Sequence, residues 1–142
     1  MKVVRGVLAL VLVGTLGACS SADDRASGRY CARLADQLQQ LTTTIGTVDA
    51  ALDRAERYRE FAKSAPLEVA DEWEQLAALV DSATKVDLAD EAAVQEVINE
   101  AYASERAARR IADHAASVCT VTDLGSLMPT LPPVPAAPPA TG

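Results

Sequence analysis

Thr42-Thr43-Thr44-Ile45-Gly46 decides how many helices this chain makes. Before it, Cys31, Leu34, Leu38, Leu41 and Ile45 recur at helical spacing; after it, Val48, Leu52, Ala55 and Ala62 keep the same phase, with Arg59 the one polar intruder. A seam that passes Gly46 in phase allows a single helix from Gly28 to Lys63. Three threonines, an isoleucine and a glycine are weak helix material, which allows a turn there instead. The first reading gives three helices in all and the second gives four.

Outward from this point the pattern stays helical. Val69, Trp73, Leu76, Val80 and Ala83 form a further seam. Another runs through Val94, Ile98, Ala101, Ala108, Ala112, Ala115 and Cys119, interrupted by Glu105, with Val97, Ile111 and Val118 on its shoulder. No alternating strand pattern of useful length occurs, so the expected class is all-α. Pro66 suits a first helical turn, with Ser64 as its candidate N-cap. Asp87 or Asp90 can cap the last helix, and Glu91 favours its positive end.

Both ends differ from this middle. Ser20 to Gly28 is small and polar and reads as part of a flexible tether over 19–28. The helical domain is expected over 29–121, followed by a disordered Pro/Ala-rich tail over 122–142 that holds six of the seven prolines and has polyproline II character.

Residues 1–18 have the three parts of an export signal: basic Lys2 and Arg5, an apolar core from Val7 to Leu16, and small residues at its end. The core is too short to span a bilayer, which takes roughly 20 apolar residues. The block Leu16-Gly17-Ala18-Cys19 that follows resembles the lipobox of bacterial lipoproteins. That resemblance implies cleavage between Ala18 and Cys19, acylation of Cys19, and residence on the extracytoplasmic face of the cell membrane, with the membrane as the first partner. It also implies the fate of the other cysteines. The chain has three, and lipid on Cys19 leaves Cys31 and Cys119 to pair in an oxidising compartment.

Such a pair bears on the helix count, because a disulfide needs α-carbons within about 7 Å. Three antiparallel helices set Cys31 and Cys119 at opposite ends; four bring them together. Pairing therefore predicts an up-down-up-down four-helix bundle with a turn near Gly46, and a three-helix bundle is the alternative if the thiols are free.

Without residues 1–18 the chain carries 11 basic and 20 acidic side chains, a net −9. Nucleic acid is thereby disfavoured as a partner. Enzymatic signals are poor: the sequence has no glycine-rich phosphate loop, no Gly-x-Ser-x-Gly elbow, no Cys-x-x-Cys and only one histidine. His114 reads as a solvent-facing or helix-end residue. Glu68, Asp71, Glu72 and Glu74 cluster where a helix start favours acid, and Arg106, Arg109 and Arg110 where a helix end favours base. Accordingly no catalytic residue, metal ligand or cofactor is expected. An anion or headgroup contact by the arginines is the functional alternative to their structural reading.

Cys31 and Cys119 flanking the helices, together with Ala65-Pro66-Leu67-Glu68-Val69-Ala70-Asp71-Glu72-Trp73-Glu74, resemble small uncharacterised lipoproteins of actinobacteria, in which an Ala-Pro-x-Glu-Ile-type segment starts a central helix. The resemblance implies compartment and fold, and no mechanism. The resulting expectation is a lipid-anchored envelope protein whose bundle is a non-catalytic interaction module for an envelope protein or lipid. The alternative is a carrier or sensor that holds a hydrophobic small molecule or lipid between alanine-lined helices.

Overall fold

The computed structural model describes residues 21–124 and residue 127, with side chains from Ala26 onward. The described chain is all-helical, with four helices packed against each other: α1 (Ser21–Thr42), α2 (Val48–Ser64), α3 (Leu67–Lys85) and α4 (Glu91–Val118). Arg33 of α1 reaches Glu60 of α2 while Arg54 of α2 reaches back to Leu41 of α1, so these two helices run antiparallel. Glu72 with Arg110 and Gln75 with Ser104 set α3 against α4 in the same way.

The chain does turn at 43–47, and the reason is not glycine. Among the described residues no glycine has a positive φ, and a Cβ at Gly46 would meet nothing within 4 Å. The threonines and one arginine make the turn. Thr42 and Thr43 donate their hydroxyls to the carbonyls of Leu38 (3.0 Å) and Gln39 (2.6 Å), and Thr47 Oγ1 accepts from the Ala50 N–H at 3.1 Å to cap α2. Arg54, only 8% exposed, donates to the carbonyls of Leu41 (2.6 Å) and Thr43 (2.8 Å). A helix end leaves its last carbonyls without partners, and a guanidinium from the next helix satisfies them here.

The core draws Tyr30, Leu34 and Leu41 from α1, Ala55, Tyr58 and Phe61 from α2, and Ile111 and Ala115 from α4 around Val69, Trp73, Leu76 and Val80 of α3. On α2 the buried face keeps Ala55 but is otherwise rotated from the expected seam: Val48 and Leu52 are 60% and 44% exposed, and Arg54, Tyr58 and Phe61 are buried instead. Each large aromatic removes about 150–250 Å² from water, so Tyr58 and Phe61 together set the rotation against two smaller aliphatic residues. Ala83 is likewise exposed.

Three boundaries also differ from expectation. Helix α1 already begins at Ser21, so the expected tether over 19–28 is helical from that residue on; Ala22, Asp23, Asp24 and Ala26 are residues that helices and their first turns favour. Ser64 ends α2 rather than capping α3, its hydroxyl donating to the Glu60 carbonyl at 2.9 Å, and Pro66 is the N-cap of α3 without a side-chain bond. Asp90 caps α4, accepting from the Ala92 and Ala93 N–H groups.

The third difference is at the carboxyl side. Thr120 takes a left-handed φ of 56°, costly for a β-branched residue, and turns the chain back so that the N–H groups of Cys119 and Val121 share the Ala115 carbonyl. Leu124 and Leu127, expected to lie in a disordered tail, are each 1% exposed and belong to the core. Tyr58 donates to the Leu127 carbonyl at 3.0 Å. The described residues after α4, up to Leu124 and again at Leu127, are therefore a strap laid into the bundle. The prolines from Pro129 onward, the export signal and Cys19 lie outside the described residues.

Candidate functional site

Cys31, in α1, and Cys119, the C-cap of α4, are bonded, with α-carbons 5.0 Å apart across 88 positions of sequence. Ala18 and Cys19 lie outside the described residues. Beside the disulfide an aromatic pile fills the interior where the sequence suggested an alanine-lined gap. Phe61 stacks on Trp73 with ring centroids 4.8 Å apart, Tyr58 tilts against Trp73 at 5.5 Å, and Tyr30 meets Phe61 edge-on at 6.1 Å. The Trp73 indole N–H donates to the Tyr30 hydroxyl at 3.0 Å. Burial pushes the Tyr30 phenol above its ordinary range, the Trp73 bond opposing in part; burial does the same to Tyr58, opposed by Arg54.

His114 is not simply solvent-facing. Its ring stands against Tyr30 at 6.0 Å, and its Nε2 is buried with no hydrogen-bond partner among the described residues.

The two charged clusters turn out to be joined. Arg110 pairs with the buried Glu72 at 2.6 Å and reaches the Glu68 carbonyl at 3.5 Å, while Arg109 pairs with Glu105 on its own helix at 3.2 Å. Glu72 and Arg110 thus tie α3 to α4. Arg106 is exposed on the same helix. No group of three or more His, Cys, Asp or Glu among the described residues is placed to hold a metal ion.

A different basic cluster emerges next to Cys31. Arg29 and Arg33 lie one helical turn apart on α1 and face Lys63 and Ser64 at the end of α2 across a groove of about 510 Å³, with Tyr30 at its wall. Arg33 sits over the Phe61 ring at 5.0 Å and donates to the Glu60 carbonyl and the Ser64 hydroxyl, both at 3.4 Å. Glu60 is the carboxylate that accompanies these cations, 2.8 Å from Lys63 and 3.9 Å from Arg33. Their hydrogen bond holds Glu60 below the usual carboxylate range and Lys63 above the usual amine range. The i, i+4 spacing of Arg29 and Arg33 was visible in the sequence, but the contribution of α2 was not.

No helix among the described residues is long and apolar enough to cross a membrane. No family model, curated protein or solved structure matches the chain.

Proposed function

We propose that this chain is a lipid-anchored cell-envelope protein, held on the extracytoplasmic face of the membrane through Cys19, whose bundle is a non-catalytic module for contact with an envelope protein or lipid. The observation that carries this reading is the division of the three cysteines. Cys31 and Cys119 take each other, and the one left over is the one that ends Leu16-Gly17-Ala18-Cys19. A structural disulfide suits an exported protein better than a cytosolic one. Two acyl chains suffice for stable anchoring, each buried methylene contributing about 0.8 kcal/mol.

A contact module is favoured over a carrier because Trp73, Phe61, Tyr58 and Tyr30 occupy the interior volume that an apolar ligand would need. On this reading the lipidated residue stands twelve positions ahead of Cys31 in the sequence. The bundle end with Cys31 and Cys119 then lies toward the bilayer.

Metabolic labelling with an alkyne-tagged fatty acid tests the anchor. The wild-type chain should carry label in the membrane fraction, and the Cys19→Ser chain should carry none. Label retained by Cys19→Ser, or an unlabelled wild-type chain in the soluble fraction, contradicts the proposal.

A further inference from the structure

We infer that the groove between the start of α1 and the end of α2 is a binding site for a phosphate-bearing anion. Its chemistry stands out against the rest of the molecule. The chain as a whole is acidic, with a formal charge of −7, yet here Arg29, Arg33 and Lys63 converge from two helices with Glu60 as the accompanying carboxylate. At about 510 Å³ the groove falls within the roughly 300–1,000 Å³ typical of small-ligand sites.

The donors also suit a tetrahedral anion. A guanidinium offers a planar fork that matches two phosphate oxygens, and an ammonium adds a compact point charge. Arg33 is already positioned by the Phe61 ring and by its bonds to α2, so little side-chain freedom is lost when an anion arrives. Arg29 is exposed and free of the core, a second arm one turn away on the same helix. The groove's lining begins at Ala26, about 7.5 Å along α1 from Ser21 at 1.5 Å per residue, and its first arginine, Arg29, stands about 12 Å along. An anion in free solution and the phosphate of a lipid headgroup present the same chemistry at that height.

The test uses the full chain, purified from whichever cell fraction holds it, and reads the rate at which an amine-reactive reagent modifies Lys63, with Lys85 as internal reference. In one arm glycerol phosphate is added to the protein in detergent. In the other, the protein is placed in nanodiscs of phosphatidylcholine with or without phosphatidylglycerol. Lys63 modification should slow several-fold relative to Lys85 in at least one arm; slowing by glycerol phosphate identifies a free anion as sufficient, and slowing by phosphatidylglycerol alone identifies a headgroup. The effect should be lost in Arg33→Gln and also in Arg29→Glu, whose exposed side chain has no packing role, with unchanged helical circular dichroism. Unchanged Lys63 modification in both arms, or equal slowing in the folded Arg29→Glu chain, overturns the inference. The detergent arm needs no anchor, so its outcome is independent of the fate of Cys19.

Discussion

Tyr58 links α2 to α3 and to the strap after α4. Its ring packs on Trp73 and under the Arg54 guanidinium, and its hydroxyl holds the Leu127 carbonyl. Burial raises its pKa and that of Tyr30, so the folded chain keeps both phenolic protons when the unfolded chain has begun to release them. The stability that follows is fully present below the unfolded-state value near 10, and is lost as pH rises through the folded values. Phenolate absorbance from Tyr30 and Tyr58, isolated by comparison with Tyr30→Phe and Tyr58→Phe, should therefore appear only together with loss of helical circular dichroism. Phenolates that form while the helices persist would show that neither ring is closed off. At this scale the sequence was a partial guide. Periodicity put Trp73 and Leu34 in the core correctly, but it counts only apolar residues, so Arg54 and Glu72, buried because each found a partner across a helix boundary, were invisible to it.

Among the elements, the turn at 43–47 and the strap after α4 show opposite sides of that limit. The turn was legible as a choice, since Thr42 to Gly46 is weak helix material, yet its mechanism lies in Arg54, eleven residues beyond Thr43. Arg54→Met should keep the bulk of the side chain and leave the Leu41 and Thr43 carbonyls without their donors. The expected cost is about 2–3 kcal/mol in denaturant unfolding at unchanged pH, because charged hydrogen bonds and buried orphan carbonyls each carry penalties of that order. A loss within about 0.5 kcal/mol, the range of ordinary surface substitutions, would mean that the threonines suffice. The strap was not legible at all. Leu124 and Leu127 stand beside a proline-rich stretch without helical or strand periodicity, and only the cavity they fill, which is a property of the assembled bundle, makes them core residues.

For the whole molecule, the number of helices, the pairing of Cys31 with Cys119 and the proposed anchor at Cys19 form one argument. Helix count followed from the cysteines, because only an even number of antiparallel passes returns the chain to its starting end, and the structure has that arrangement. Closing the loop between these cysteines stabilises the fold by about 4–5 kcal/mol in the chain-entropy model. What the sequence left open was the surface: the groove of Arg29, Arg33 and Lys63 depends on how α1 and α2 are rotated against each other, and Tyr58 and Phe61 set that rotation. The most direct test of the central claim is mass spectrometry of the protein purified from cells and digested without reduction. The account predicts one crosslinked species joining the Cys31 and Cys119 peptides, and an amino-terminal Cys19 peptide carrying acyl mass. Free thiols at Cys31 and Cys119, a disulfide from Cys19 to either of them, or an unmodified Cys19 would contradict it.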